Sequence, residues 1–544
     1  MLSNITRYLL FVLFLSACQD NGNGEKDLPA WWKETVFYQI YMPSFQDSDG
    51  SGYSDFRGMT ARLDHLEDLG IKGIWLTPFQ KSPKVDNGYD VADYYSVDPV
   101  YGDMGDFKDF LSEAHSRGIK VIMDMVVNHT STDSYWFQQS RKSKDNPYRD
   151  YYIWRDEPNN WESFFGGPAW TKDTLTGQYY YHKFDVRMAD LNWTNPEVVK
   201  EIQDVLRFWL DMGIDGFRLD VINFLLTDGI LDDNPMENGS QIHKYDIDQP
   251  GVEDAMRLIN KTIHEYDDRF IVGEIGSDNL DVLKRYQAPD MMDVVFNFNF
   301  GSIPDFSVER IHNELVSMED QLPGYPTLFF GSHDMPRPMN RLAGGCPQRA
   351  GALAALILTA KGVPFIYYGE EIGMHNILAQ SIDDMIDVQG RTQYFLAIEA
   401  GKSPEEALRE VNRHNRDRSR SPMQWDDSPH AGFTTGTPWI RVHKNYHEVN
   451  VAQAKKEDRS LLYRYKELID LRNREKILQY GSYAVLEQPS EHTIRFTRTL
   501  GNEHITVMIH FGKEMLADIP QDAEIIMGTP SLTNNGYLIY RHFN

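Results

Sequence analysis

The stretch from Gln46 to Gly58, QDSDGSGYSDFRG, alternates oxygen-bearing residues with glycines. Counted after Gln46, side-chain oxygens occupy the first, third, fifth and ninth positions, a glycine the sixth and a backbone carbonyl the seventh. This is the ligand order of a loop that binds Ca²⁺ through hard oxygens, although Gly58 stands where a bidentate glutamate is expected. A turn of Asp, Gly and Ser without a metal is the alternative. The predicted ligands are Asp47, Asp49, Ser51, the carbonyl of Tyr53, and Asp55.

Three other acidic residues end short apolar stretches that are typical of β-strands. Asp220 ends IDGFRLD, Glu274 ends FIVGE and Asp334 ends TLFFGSHD. In a parallel barrel the C-terminal strand ends meet at one face, where catalytic side chains lie. One such acid would be weak evidence, since it could cap the next helix. Three of them, with Arg218 and His333 beside them, indicate one site in which carboxylates act together.

The elements that would position these acids alternate between strand-like and helix-like segments. The helix-like segments carry apolar residues at spacings of three and four, and the strand-like runs are rich in β-branched and aromatic residues. About eight such pairs predict an α/β fold of the closed (β/α)8 barrel type. The predicted strands are 36–41, 71–79, 119–127, 214–221, 270–275, 293–300, 327–334 and 363–371.

Two connections are unusually long, and long insertions in compact domains tend to be functional. One follows the third strand and is rich in Trp, Tyr and Asn; the other, 372–455, follows the eighth. After them the pattern changes to short alternating stretches typical of antiparallel strands. The predicted organisation is a signal peptide at 1–17, a polar tether at 18–28, barrel parts at 29–129 and 190–475, an inserted substrate-pocket domain at 130–189, and a C-terminal β-sandwich domain at 476–544.

The composition of this 544-residue chain limits the classes of partner that it can bind. A formal net charge of −27 argues against a phosphate-backbone partner, so nucleic acid is excluded as a partner class. The first residues, MLSNITRYLLFVLFLSACQD, contain an apolar run too short to span a bilayer. The segment LSAC resembles a bacterial lipobox, which predicts an exported lipoprotein anchored through Cys18, at the periplasmic or outer surface of a membrane. An ordinary signal peptide that contains a cysteine is the alternative.

Several motifs resemble the conserved blocks of the α-amylase family of glycoside hydrolases. They are GFRLDVIN, VGEIG, SHD and DMVVNH; DNGYDVADYY, YGEEIGM and SPMQWD are similar to the oligo-1,6-glucosidases and related α-glucosidases within that family. The resemblance implies that Asp220 is the nucleophile and Glu274 the acid/base of a retaining mechanism, which uses two carboxyl groups roughly 5 Å apart. It implies that Asp334 stabilises the distorted sugar, and that Arg218 keeps the nucleophile ionised.

The resemblance also implies a pocket closed at one end. Asp86 would bind the terminal glucose near its 4-hydroxyl, and Tyr89 would stack beneath the sugar ring. His129 and His333 match donors to sugar hydroxyls, and Arg420 matches an arginine that closes the pocket against Asp86. A site blocked in this way predicts exo-acting removal of one non-reducing glucose from an oligosaccharide.

The resemblance also leads to an expectation about which glucosidic linkage the protein cleaves. Val221, directly after Asp220, favours short α-1,6-linked glucosides, with α-1,4-linked ones left open. Sucrose isomerases and trehalose synthases of the same fold are the alternatives, as is a non-catalytic homologue of transporter-associated subunits. The chain departs from the pattern of the oligo-1,6-glucosidases at Ser332, at Met188 and after Glu274, which bears on product preference. The loop from Asp47 to Asp55 also resembles the calcium site of oligo-1,6-glucosidases, with Ser51 where they have an Asp. This implies that Ca²⁺ would stabilise the loop and take no part in hydrolysis.

The lipobox makes a prediction about location. Changing Cys18→Ser removes the lipid acceptor, so the variant should appear as soluble active enzyme or as uncleaved precursor. The wild type should sediment with membranes. Fractionation followed by activity assay checks this, and a wild type found wholly in the soluble fraction would reject the anchor.

Overall fold

A computed structural model of the chain describes residues 30–322 and 324–543. The predicted signal peptide, the tether and Cys18 lie outside the described residues. From Trp31 onward the chain forms one compact unit. Within this described part, the helices are too short or too polar for any of them to cross a membrane.

Eight parallel strands form a near-closed barrel, which confirms the predicted fold. The order of neighbours is β6-β5-β4-β3-β2-β1-β8-β7, so the first strand lies between the second and the eighth. Most of their residues are buried on both sides, as expected of a parallel sheet covered by helices. The strands are β1 (Phe37–Ile40), β2 (Gly73–Leu76), β3 (Lys120–Met125), β4 (Gly216–Leu219), β5 (Phe270–Gly273), β6 (Val294–Val295), β7 (Thr327–Leu328) and β8 (Val363–Tyr367).

The sixth and seventh strands are much shorter than predicted. The side chain of Asn297 accepts a hydrogen bond from Asn299 N and begins a helix at Phe298, which ends the sixth strand early. The hydroxyl of Thr327 accepts from Asn297 N at 3.0 Å and donates to Val295 O at 3.1 Å. A side chain therefore bridges β6 and β7 where the regular strand ladder is missing.

The helices surround the barrel and cover the predicted helical segments closely. The helix at 196–211, for example, begins with Pro196 and is capped by the side chain of Asn195. The α-helices are Phe56–Thr60, Leu63–Leu69, Met104–Ser116, Tyr135–Ser140, Pro196–Asp211, Val252–Ile263, Leu280–Tyr286, Phe298–Gly301, Val308–Gln321, Pro338–Arg341, Pro347–Thr359, Val388–Glu399, Pro404–Val411, Val451–Ala454, Leu461–Arg474 and Lys476–Tyr480.

The insertion after β3 begins and ends at a two-stranded antiparallel ribbon. His129–Ser131 pairs with Met188–Asp190, in a register that places His129 opposite Asp190. Between these strands lie the helix at 135–140 and a three-stranded sheet. The remaining short strands are Gln80–Lys81, Asp93–Val97, Trp154–Arg155, Trp170–Lys172, Tyr179–Tyr181, Met236–Glu237 and Ser240–Gln241.

The C-terminal part is a five-stranded antiparallel sheet with a separate two-stranded ribbon, Met515–Leu516 with Ser531–Leu532. Arg498 ties this sheet to the barrel, because its buried guanidinium donates to the carbonyls of Ala360 at 3.1 Å and Leu478 at 2.6 Å. The sheet order is β9-β10-β11-β13-β12. Its strands are β9 (Ser482–Val485), β10 (Thr493–Leu500), β11 (Glu503–His510), β12 (Glu524–Gly528) and β13 (Gly536–Phe543).

Candidate active site

A pocket of about 690 Å³ lies over the C-terminal ends of the barrel strands. Its wall combines carboxylates, aromatic rings and a few small residues. Among the residues predicted for the site, those that line it are Asp86, Tyr89, His129, Asp220, Val221, Glu274 and Asp334. The three acids named from their strand ends therefore converge on one cavity.

One buried guanidinium holds the two central carboxylates together. Arg218 Nη1 donates to Asp220 Oδ1 at 2.6 Å, and its Nη2 donates to Glu274 Oε2. Asp220 and Glu274 directly follow β4 and β5, whose register pairs Leu219 with Gly273, so both acids leave the sheet at the same level. Asp124 on β3, opposite Arg218 in the sheet, accepts a third hydrogen bond from the same guanidinium.

The two carboxyl groups have unequal proton affinities. Burial raises the pKa of Glu274 to about 8, and Arg218 only partly opposes it. Burial raises the pKa of Asp220 to about 7, again against the effect of Arg218. Glu274 therefore keeps its proton to higher pH than Asp220 does, which is the order that a proton donor and a nucleophile require.

Asp334 is the acid that stays ionised most readily. Burial acts to raise its pKa, but His333 and the guanidinium groups of Arg416 and Arg420 outweigh this effect and hold the pKa below its usual value. Arg420 Nη2 lies 3.1 Å from Asp334 Oδ1. A permanent carboxylate at this position can accept hydrogen bonds from sugar hydroxyls and stabilise positive charge.

The arginine at the closed end is Arg416, and the prediction that Arg420 pairs with Asp86 is wrong. Arg416 Nη2 donates to Asp86 Oδ1 at 2.6 Å and to Asp387 Oδ1 at 2.6 Å. Arg420 is instead held by Asp334 and by the carbonyl of His333 at 2.9 Å. The 3-10 helix at 416–419 separates the two arginines and directs only the first toward Asp86.

Tyr89 lies in the wall of the pocket, and His333 lies directly behind it. Their rings are parallel with centroids 5.4 Å apart, and Tyr89 Oη lies 2.6 Å from His333 Nε2. Tyr89 lines the cavity, whereas His333 is buried behind it and also contacts Gln39 at 2.7 Å. His333 is thus placed to position Tyr89 and Asp334, and the cavity wall itself does not include it.

His129 is placed to bind a hydroxyl directly. It is buried, it lines the pocket, and its Nε2 has no hydrogen-bond partner among the described residues. Burial lowers the pKa of His129 to about 3, so the imidazole is neutral at ordinary pH. An unpartnered buried nitrogen is costly unless a ligand satisfies it.

Val221 has a backbone conformation that β-branched residues rarely adopt. Its φ of 38° and ψ of 46° lie in the left-handed region. Its N–H points toward Glu274 Oε2 at 3.4 Å. The turn after Asp220 therefore carries local strain at the point where the nucleophile and the proton donor meet, as functional sites often do.

Several pocket residues were not found from the sequence. Phe164 and Phe298 flank the open side, together with Gln389 and His414 from the long connection after β8. Asp387, also in that connection, is buried and fixes Arg416. These irregular segments lack the hydrophobic periodicity of helices and strands. The only sequence signal for a role was therefore that the residues are aromatic or charged.

The predicted calcium loop brings its acidic side chains together. Oxygens of Asp47, Asp49 and Asp55 lie within 4.8 Å of one another. The hydroxyl of Ser51 is 3.3 Å from the carbonyl of Tyr53, so the remaining two predicted ligands also adjoin each other. These hard oxygens fit Ca²⁺.

Part of this carboxylate set already has backbone partners. Asp55 accepts from Gly58 N and Ser48 N at 2.7 Å each, and Asp47 accepts from Gly52 N at 2.7 Å. Gly52 has a φ of 89°, and a Cβ there would lie 2.0 Å from the carbonyl oxygen of Thr437. The loop is therefore packed closely against the segment near residue 437.

This fold, with a proton donor and a nucleophile of unequal pKa in a pocket closed at one end, defines a glycoside hydrolase. The chain belongs to the α-amylase family, whose catalytic-domain model matches residues 39–481. An oligo-1,6-glucosidase of Parageobacillus thermoglucosidasius is 41% identical over 510 residues, which cover 89% of this chain and 91% of the relative.

Two solved structures extend the comparison. A trehalose-6-phosphate hydrolase of Bacillus licheniformis is 37% identical with a TM-score of 0.86, covering 94% of this chain and 100% of the other. A trehalulose synthase of Pseudomonas mesoacidophila MX-45 is 34% identical with a TM-score of 0.89, covering 94% and 99%. The predicted family is thus confirmed.

The different roles of the two carboxyl groups can be tested with two substrates, one whose leaving group needs a proton and one whose leaving group does not. Glu274→Gln removes the proton donor, so kcat/KM on isomaltose should fall on the order of 10³-fold, but much less on an aryl α-glucoside whose phenolate leaves without a proton. Asp220→Asn removes the nucleophile, so kcat/KM should fall at least as much on both substrates. Asp267→Asn, an exposed aspartate far from the pocket, is the control. Equal losses on both substrates for Glu274→Gln would contradict its role.

The pH profile of kcat/KM follows from the same pair. The active form has Asp220 ionised and Glu274 protonated, so the rate should rise as pH rises through about 7 and fall as it passes about 8. The two limbs belong to the coupled pair and will overlap. Steady-state rates from pH 5 to 10 check this, and a plateau that extended unchanged to pH 10 would refute the assignment of Glu274.

Proposed function

We propose that the protein is a retaining, exo-acting α-glucosidase that releases single glucose units from the non-reducing ends of short α-1,6-linked oligosaccharides. In the first step the Asp220 carboxylate attacks the anomeric carbon while Glu274 gives its proton to the leaving oxygen. In the second, Glu274 takes a proton from water, and the resulting hydroxide displaces Asp220. Glucose leaves with its original α configuration, and both carboxyl groups return to their starting state.

We infer exo-action from the closed end of the pocket. Asp86, Arg416 and Asp387 form a continuous buried ion-pair network at that end. A glucan chain cannot extend through it, because doing so would leave buried charges unpaired. Only a terminal glucose fits between this network and the catalytic carboxylates.

The α-1,6 preference rests on Val221 and on the relatives. Val221 directly follows Asp220, its N–H points toward Glu274, and it lines the pocket, so we place it on the side of the leaving sugar. An apolar wall discriminates between substrates by about 1–3 kcal/mol for each methylene-sized difference. Oligo-1,6-glucosidases are the most numerous of the most similar curated relatives, which supports this linkage.

A phosphorylated substrate is less well supported, although one relative is a trehalose-6-phosphate hydrolase. Among the described residues that line the pocket, the basic ones are Arg416, His414 and His129, and His129 is neutral at ordinary pH because burial lowers its pKa to about 3. Arg416 is paired with two carboxylates, and Asp278 adds a negative charge on the open side. A phosphate group needs unpaired Arg or Lys donors, so the lining favours a neutral leaving sugar.

Glucosyl rearrangement, as in the trehalulose synthase, is the second candidate. Arginines after the last catalytic Asp would favour it, and the chain has Arg337 and Arg341 there. Arg337 donates to the carbonyl of Tyr368 at 2.8 Å, and Arg341 donates to that of Gly301 at 2.9 Å. Neither arginine is among the residues that line the pocket, which supports hydrolysis.

We also propose that Ca²⁺ binds the loop at Asp47, Asp49 and Asp55 in a structural role. The ion would neutralise three adjacent carboxylates and fix the loop against its neighbour, where Thr434 Oγ1 donates to Asp47 and the rings of Tyr53 and Trp439 stack at 5.8 Å. The export and lipid anchoring expected from LSAC complete the proposal, with neutral oligosaccharides as substrates outside the cytoplasm.

Linkage preference is tested by comparing disaccharides under identical conditions. Wild type should show higher kcat/KM on isomaltose than on maltose, and both should exceed trehalose 6-phosphate. Val221→Ala should move the isomaltose-to-maltose ratio toward maltose by roughly 5- to 100-fold. Val221→Ile, which keeps the branch at Cβ, serves as the matched control. A wild-type preference for maltose would remove the α-1,6 assignment and leave the exo-acting mechanism in place.

The calcium proposal predicts a metal-dependent melting temperature. Ca²⁺ bound only to the native state stabilises it by mass action, so a chelator should lower the Tm. Asp49→Ala should abolish this difference, while Asp267→Ala, also an exposed aspartate, should retain it. Differential scanning calorimetry with and without chelator measures both; an unchanged wild-type Tm would count against an exchangeable ion.

A further inference from the structure

A second groove, of about 1140 Å³, lies beside the inserted domain. Its walls come from residues 81–84, from within 92–100 and from 133–138. Among the described residues, none is shared between this groove and the active-site pocket. The hydroxyl of Tyr94, in the groove wall, donates to the carbonyl of His129 at 3.1 Å, so the groove and the pocket lie on opposite sides of one backbone strand.

Aromatic rings dominate the open face of the groove. Tyr135 is 62% exposed and Tyr95 is 38% exposed, and Trp136, next to Tyr135, is partly buried. Each exposed ring is held by another ring behind it. Tyr135 packs edge-on against Tyr148 at 5.6 Å, and Tyr95 packs edge-on against Phe208 at 5.1 Å. These rings are fixed flat surfaces, because their neighbours restrict rotation.

The polar side chains of the groove carry little net charge and leave hydrogen-bonding capacity at its rim. Two lysines and three aspartates line it. Lys84 and Asp98 neutralise each other at 2.9 Å. Lys81, Asp133 and Gln138 are exposed at the edges of the aromatic face. A strongly charged ligand has no counterpart here, whereas a neutral ligand with many hydroxyl groups does.

We propose that this groove is a second binding site for neutral gluco-oligosaccharides, distinct from the catalytic pocket. Glucopyranose rings present apolar C–H faces that pack on flat aromatic rings, while their equatorial hydroxyls reach polar groups at the sides. Exposed aromatic rings bordered by polar side chains in one groove form such a surface. The site would hold a long substrate next to the pocket, and it does not depend on which linkage the enzyme cleaves.

The test uses the full-length chain carrying Glu274→Gln, which does not consume the ligand. Native electrophoresis through gels that contain dextran measures retention by the polymer. The double variant Tyr95→Ala/Tyr135→Ala should lose on the order of fivefold or more of the apparent affinity. Tyr463→Ala is the matched control, because Tyr463 is 39% exposed but lies outside the groove. The pocket is identical in all variants, so the difference reports on the groove.

Two companion measurements complete the test. With Glu274 restored, kcat/KM of the double variant on p-nitrophenyl α-glucoside should equal that of wild type, and Tyr135→Phe should keep most of the retention. Tyr135→Ala alone serves if the double variant does not fold, since exposed substitutions cost little stability. Unchanged retention would overturn the proposal, as would loss of activity on the small substrate. A change in sedimenting mass would overturn it too, by assigning the groove to self-association.

Discussion

The buried guanidinium of Arg218 is the constraint on which the catalytic centre depends. It joins three largely buried carboxylates, from β3, from the end of β4 and from the end of β5. Removing one member of such a network leaves an uncompensated buried charge, which typically costs 3–5 kcal/mol. The strand register is therefore tied to the electrostatics, because a slip of one residue would turn Arg218 or Asp124 away from the others.

The same arrangement sets the protonation of the three acids. Asp220 and Glu274 are both buried, both contact the same cation and both lie near other carboxylates, so the pKa of each is raised. Arg416 and Arg420 lie around Asp334 and keep that third acid charged. Three carboxylates in one cavity thus differ because the cations are placed unevenly among them.

The barrel and its acids were predictable because both follow from local patterns. Apolar runs marked all eight strands, and a strand followed directly by an acid places it at the open face, as for Asp220 and Glu274; Asp334 lies in the segment after β7. The exchange of Arg416 for Arg420 shows the limit of such reasoning. The stretch around Arg416 contains several arginines at close spacing, and a short 3-10 helix decides which one reaches Asp86. Asp387 lies in a connection without periodicity, and its role becomes visible only from the buried contact with Arg416. The shortened sixth and seventh strands likewise reflect one side-chain cap and one threonine hydroxyl.

The pairing of β1 with β8 has a consequence for how the chain folds. Phe37 lies opposite Phe365 in the barrel, so the closing contact joins residues more than 300 positions apart. Loop closure of this length is slow, and long chains with such contacts pass through partly folded intermediates. During synthesis, Asp220 and Glu274 emerge well before the eighth strand and Arg416 do. The strands of the first half then have an open edge that can pair with other chains until β8 arrives, and this is the interval in which a chaperone would need to cover that edge.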